Sequence, residues 1–139
     1  MASKVFLDAN ILLDFLLKRT DYQEARQLIE RIVYKQIQGF ITPAIVHITG
    51  YWVAKAYGKA RAKELIVLLL ADITVIDCNH VTTLKALSSP IDDIEDALQY
   101  HTAIQHKLQY FVSRDKQLQK FSEPSLPIYN LKEFLALKL

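Results

Sequence analysis

Residues 5–19, VFLDANILLDFLLKR, decide the fold. Val5-Phe6-Leu7 is a short apolar run that ends abruptly in Asp8. After Ala9 and Asn10, an apolar block with helical spacing continues to Leu17. This pattern predicts a buried strand over about Lys4 to Asp8, a carboxylate at its C-terminal tip, and a helix from Asn10 to about Leu17. In open α/β sheets, ligands bind in the crevice beyond the strand C-termini, which is where Asp8 stands. Asp is also a favoured helix N-cap, so Asp8 has a structural use beside a chemical one. What separates the two is whether other acids converge on it.

The same alternation runs along the rest of the chain. Thr20-Asp21-Tyr22-Gln23 has the form of a capping box with Thr20 as N-cap. A helix should follow, with Ala25, Leu28, Ile29, Ile32 and Val33 on one face, and Gly39 closing it. Phe40-Ile41 reads as a short strand. Thr42-Pro43 then opens a helix, with Thr at N-cap and Pro at N1, that stops at Gly58. Arg61 to Ala71 reads as a helix and Ile73 to Asp77 as a β-branched strand. Asn79 caps a helix to about Leu87, and Ser89-Pro90-Ile91-Asp92 starts another that runs to about Lys107. Tyr110 to Ser113 and Ile128-Tyr129 are strands, and Asn130 caps a closing helix with Glu133 at N3. Strands alternating with helices predict a three-layer α/β/α fold around a mostly parallel five-stranded sheet. Right-handed crossovers bring every strand tip to one edge.

Length and composition limit the function classes. The 139 residues suit one domain, residues 1–139, with a single core. A net charge of +2 does not by itself predict nucleic-acid binding, although a local basic rim is compatible with it. The lone cysteine, Cys78, cannot form an internal disulfide and suits a reducing cytoplasm. The start shows no signal-peptide pattern, and the longest aliphatic run, Leu65 to Ala71, is too short to span a bilayer. The expected location is therefore cytoplasmic, with no membrane partner.

Two strand tips carry acids, Asp8 and Asp115. A third source is Asp92-Asp93-Ile94-Glu95-Asp96, at the start of the helix leading into the fourth strand. Acids in a first helical turn are favoured by the helix dipole alone, but that does not explain acids at two strand tips. Clustered carboxylates repel one another unless a cation lies between them. Oxygen ligands of this kind suit Mg²⁺ or Mn²⁺ rather than zinc, and the four histidines show no zinc spacing.

Asp8-Ala9-Asn10, Glu95-Asp96-Ala97-Leu98-Gln99 and Ser113-Arg114-Asp115, in that order, resemble the PIN domain, a family of small α/β nucleases that includes the VapC-type toxins of toxin–antitoxin pairs. The resemblance extends to the Thr42-Pro43 helix entry and the closing Leu131-to-Leu135 helix. It implies a metal-dependent endoribonuclease in which Asp8, Asp96 and Asp115 hold Mg²⁺ or Mn²⁺. Asn10 would brace the loop beside Asp8, Ser113 would hydrogen-bond near the site, and Glu95 and Asp93 would support it. Arg114 and Lys116, with Lys18, Arg19 and Lys55 nearby, are candidates for RNA phosphates. Tyr51, Trp52 and Tyr57 are candidates for base stacking, although packing in the core or against a partner is their commoner use. The implied partners are RNA, an antitoxin protein and a second copy of the chain.

The chain departs from the family pattern in one place. PIN nucleases commonly carry an acid in the helix after the second strand, yet no Asp or Glu occurs from Arg31 to Lys63. Ile48 or a neighbour stands there instead. The family's further acid after the third motif is replaced by Gln117, Leu118 or Gln119. These losses keep a second reading open: a degenerate PIN module that binds protein or RNA without turnover, with the Tyr51-Trp52-Val53 helix as its contact. A haloacid-dehalogenase-type phosphohydrolase also uses an Asp after its first strand, but wants a second Asp where this chain has Asn10.

Overall fold

The computed structural model describes residues 2–139. Its centre is a five-stranded, wholly parallel sheet. The strands are β1 (Ser3–Leu7), β2 (Ile37–Ile41), β3 (Ile73–Val75), β4 (Tyr110–Val112) and β5 (Ile128–Tyr129), in the spatial order β3-β2-β1-β4-β5. The chain builds outward from β1 in one direction through β2 and β3. It then returns to the other side of β1 with β4 and β5. The reversal falls between β1 and β4, and the crevice at such a switch point is where α/β sheets bind ligands. In this register Leu7 pairs with Val112, so Asp8 and Ser113 leave the sheet side by side.

The helices are α1 (Ala9–Leu16), α2 (Tyr22–Val33), α3 (Pro43–Tyr57), α4 (Lys59–Leu69), α5 (His80–Leu87), α6 (Ile94–Gln105), α7 (Lys116–Gln119) and α8 (Leu131–Leu135). α1 packs on α2 and α3, α3 on α4, and α2 on α8, while α5 packs on α6. These groups cover the sheet to give the three-layer α/β/α fold. Val5, Phe6 and Leu7 are fully buried, as is expected of a strand with helices on both faces. Phe6 and Phe111 stack across β1 and β4 with centroids 4.7 Å apart. Tyr100 reaches past them to donate its hydroxyl to the Leu126 carbonyl at 2.6 Å, anchoring the loop before β5.

Several element ends match the sequence expectation. Thr42 caps α3, accepting from the Ile45 amide, and Asn130 and Glu133 form a complete capping box on α8. Others differ for local reasons. The Thr20 capping box does not form. α2 begins after Asp21, whose carboxylate lies 3.6 Å from Arg114 Nη1 instead of capping the helix. Gly39 does not close α2 but lies inside β2, where a Cβ would meet Ile32 Cδ1 at 2.7 Å. The helix ends earlier, on a left-handed Lys35 (φ 61), with the Gln36 amide bonded to the Arg31 carbonyl.

α6 starts at Ile94 rather than near Ser89. The Ser89 hydroxyl donates back to the Ala86 carbonyl and so completes the turn after α5. α7, between Asp115 and Lys120, was not anticipated: four residues are too few for a periodic signal. No helix among the described residues is long and apolar enough to cross a membrane.

Candidate functional site

Helix N-termini meet at the switch point. Asp8 precedes α1, Asp93 precedes α6 and Asp115 precedes α7. Each accepts backbone N–H bonds as an N-cap: Asp8 from Ala9, Asp93 from Asp96, and Asp115 from Gln117 and Leu118. Asp8 is only 7% exposed, and its second oxygen accepts the Ser113 hydroxyl at 2.7 Å. Ser113 in turn accepts the Asp115 amide at 3.1 Å, which ties the β4 tip to the β1 tip. Capping and clustering thus hold together. The same acids that close helix ends also converge, because the topology aims those ends at one crevice.

The crevice is a cavity of about 370 Å³. Asp8, Asp93, Glu95, Asp96 and Asp115 line it, together with Asn10, Leu13, Arg19, Ile48 and Trp52. All the acids anticipated for the site are therefore present, while Asp92, though adjacent in sequence, is not. Ile48 and Trp52 fill the wall that α3 contributes, so the position without a carboxylate is apolar. His47 is exposed and does not line the cavity. Gln119 donates to the Ser113 carbonyl at 2.9 Å, and Leu118 is buried, so neither replaces a charge there.

The acids bear the electrostatic cost of this convergence. Burial, then the neighbouring charges of Asp93, Asp115 and Asp8, push Asp96 up to about 8; a protonated Asp96 also donates to Asp115. Burial likewise raises Asp8, with Asp115 adding to it and the Ser113 hydrogen bond opposing it. Burial and the charges of Asp8, Asp93 and Asp115 raise Glu95. A carboxylate whose folded pKa is raised binds more protons folded than unfolded. Its contribution to stability is full below the unfolded value near 4 and is lost as pH rises through the folded value. The metal-free protein should therefore lose stability between pH 5 and pH 8–9. After allowance for solvent screening the loss is on the order of 1 kcal/mol, or about 3–5 °C in Tm. Thermal melts in chelator across that range check this, and a flat or rising Tm would contradict it.

Asn10 and Arg114 take a different place from the one expected. The Asn10 amide oxygen makes its bonds to two arginines. It accepts Arg19 Nη2 at 3.1 Å and Arg114 Nη2 at 3.3 Å. One turn further along α1, Asp14 is 1% exposed and accepts Arg19 Nε at 2.9 Å and Arg114 Nη1 at 3.2 Å. The Arg114 guanidinium is thus held inside the protein's own ion pairs. Asp14 was missed in the sequence because it sits inside an apolar helical block. The available signal was a charge four residues after Asn10, on the same helical face.

Lys116 lies apart from the carboxylates, in a separate hollow with Arg114, Lys132, Asp21 and Glu24. Tyr51, Trp52 and Tyr57 are exposed rather than core, and Trp52 reaches the cavity wall. Val53 is instead buried against Leu13 and Ala62. His101 and His106 are half-buried, and the His106 ring bonds to the Asp77 carbonyl.

A family model described as the PIN domain matches residues 4–117. The chain belongs to the PIN domain family. Solved PIN structures share its fold at low identity. VapBC2 from Rickettsia felis, bound to a DNA fragment from its promoter, superimposes with a TM-score of 0.68 at 18% identity, covering 91% of this chain and 98% of that one. A toxin–antitoxin complex from Klebsiella pneumoniae gives 0.68 at 20% identity, with the same coverage of 91% and 98%. VapC20 from Mycobacterium tuberculosis, a Sarcin-Ricin loop cleaving toxin, gives 0.67 at 11% identity over 84% and 94%. No curated protein matches the chain. In this PIN domain, carboxylates from the strand and helix tips line the cavity, and Ile48 and Trp52 line it from α3.

Proposed function

We propose that the protein is a divalent-metal-dependent endoribonuclease, the toxin component of a toxin–antitoxin pair. The observation that carries this is the convergence of Asp8, Asp96 and Asp115, with Glu95 and Asp93, in one cavity at the β1–β4 switch point. Asp8, Asp96 and Asp115 are the proposed metal ligands, and Ser113 fixes the Asp8 carboxylate that faces them.

The donor set fits Mg²⁺ or Mn²⁺. It is all oxygen, and it is crowded enough that burial and the neighbouring acids push the Asp96 pKa up to about 8. Among the described residues, no group of three or more His, Cys, Asp or Glu side chains is already gathered as a metal cage. Mg²⁺ does not demand one, since it keeps waters and takes one or two carboxylates plus a substrate phosphate. Once bound, such an ion would polarise the phosphoryl oxygen and lower the pKa of a bound water. Glu95 and Asp93, which also line the cavity, would accept hydrogen bonds from water or a ribose hydroxyl. Lys116 would meet an RNA phosphate beyond the cavity.

The structural neighbours that are VapBC assemblies support an antitoxin protein as partner, and the exposed Tyr51 and Trp52 offer a face for it or for a second copy of the chain. A cytoplasmic location follows from that role. The apolar α3 wall, Ile48 and Trp52, favours one alternative: a PIN module that binds without turnover.

The two are separated by incubating total RNA with the purified protein in Mn²⁺ and in chelator, then mapping new RNA ends. Discrete ends that appear only with Mn²⁺ support the nuclease. Intact RNA in both, from a protein that still binds RNA, supports the module.

A further inference from the structure

Arg19 is the cation of the cavity wall, and its placement is built rather than incidental. α1 ends on a left-handed Lys18 (φ 52), which turns the chain so that the Arg19 amide bonds to the Asp14 carbonyl at 3.1 Å. The side chain then folds back along the same helix. Arg19 Nε bonds to the buried Asp14 carboxylate at 2.9 Å and Nη2 to Asn10 at 3.1 Å. Arg114 takes the other side of both acceptors.

One buried carboxylate therefore holds two guanidiniums, and Asp21, 3.6 Å from Arg114 Nη1, supplies a second negative charge on the Arg114 side. The two arginines differ in what remains free. Arg114 Nη1 is committed to Asp14 and faces Asp21. Arg19 lines the carboxylate cavity, and among the described residues its Nη1 has no partner. Its ion pair is with Asp14, not with the cavity acids, so it does not neutralise them.

We infer that Arg19 is a substrate-contacting residue of the nuclease, its free N–H groups donating to a non-bridging oxygen of the RNA phosphate seated in the carboxylate cavity, with Asp14 and Asn10 setting the guanidinium's orientation. This rests on the nuclease reading and refines it: Arg19 meets the phosphate at the cavity, whereas Arg114 holds the wall. A planar guanidinium fixed at one edge presents its remaining N–H groups in a defined direction, which matches phosphate geometry and which a lysine does not reproduce. A cation in the cavity wall also gives a phosphate one favourable partner in a cavity whose acids repel it. Ile48 fits this arrangement, since a carboxylate there would line the same cavity and compete with a phosphate for Arg19.

The test uses the whole chain with two probes. Mn²⁺ binding is measured by calorimetry. Binding of a fluorescein-labelled 12-nucleotide single-stranded RNA is measured by anisotropy in Ca²⁺ at several salt concentrations, with the RNA shown intact on a gel afterwards. Arg19→Ala should weaken RNA binding about tenfold and reduce the salt slope by about 0.7, one single-strand phosphate contact, with Mn²⁺ binding retained or tighter. Arg19→Lys should keep the slope and lose about threefold in affinity. Asp14→Asn should also keep the slope while losing affinity, a pattern that a purely structural loss would not give.

Unchanged affinity and slope in Arg19→Ala, with the parent binding Mn²⁺, would overturn the inference and leave the nuclease standing. Loss of Mn²⁺ binding in Arg19→Ala would also overturn it, making the residue a prop of the metal site. No Mn²⁺ binding in the parent would remove the nuclease reading and the inference with it.

Discussion

Asp96→Asn should abolish RNA hydrolysis, by roughly 10²–10⁴-fold, in a protein at least as stable as the parent. The two halves of this expectation have one cause. Asp96 sits at the start of α6, partly buried and facing the charges of Asp93, Asp115 and Asp8, and its pKa is pushed up to about 8. A side chain kept at that electrostatic cost is not kept for stability. An amide of the same shape removes the repulsion and, with it, the charge that a cation needs. Asp93 still caps α6 through the Asp96 backbone amide, which the substitution leaves in place. The chelator-stripped variant should also show a smaller fall in Tm toward pH 8.5 than the parent. Mn²⁺-dependent RNA cleavage and thermal melts measure the two. Full cleavage by the variant would remove Asp96 from the site, and a large loss of Tm would show that its role is structural.

Asp14→Ala should destabilise the protein by about 2–4 kcal/mol, a large effect for a polar side chain. Asp14 is 1% exposed and bonds to both Arg19 and Arg114. Removing it leaves two guanidiniums facing each other, with only Asn10 and the more distant Asp21 to separate them. The loss stays below that of a fully buried orphan charge because both arginines are more than a third exposed and can turn to solvent. Urea unfolding reads the change directly. Ala for the similarly buried but uncharged Leu13, which packs against Val53 and Ala62, provides the packing comparison. A loss under about 0.5 kcal/mol, the scale of an ordinary surface substitution, would show that the Asp14 network contributes little.

Much of this arrangement is legible in the sequence because strong local signals agree with the topology. Val5-Phe6-Leu7 before Asp8 marks a strand tip, and Thr42-Pro43 and Asn130 with Glu133 mark helix starts. Capping needs only neighbouring residues, so these features survive folding unchanged. The carboxylates can be found for the same reason, since each sits where a strand or loop meets a helix.

What is not legible depends on partners far along the chain. Thr20 does not cap α2, which begins after Asp21, and the Asp21 carboxylate lies against Arg114 instead. Gly39 resembles a helix stop, but its lack of a side chain serves the close approach of Ile32 to β2. The left-handed residues at Lys18, Lys35 and Lys107 have no sequence mark, because lysine is not a usual choice there. The Asn10–Asp14 clamp is half visible, as an i, i+4 pair. The two arginines that fill it come from the end of the same helix and from the opposite strand tip, which only the β1–β4 register brings together.

The claim that the converging acids form a metal site is tested most directly by titrating Mn²⁺ into chelator-stripped protein by calorimetry, beside Asp8→Asn. The measurement needs no knowledge of the RNA target. The account predicts binding in the parent that disappears in the variant, in which Ser113 still has an oxygen to bond. Equal binding in both would place the ion elsewhere, and no binding in either would contradict the metal site and leave a PIN module that binds without turnover.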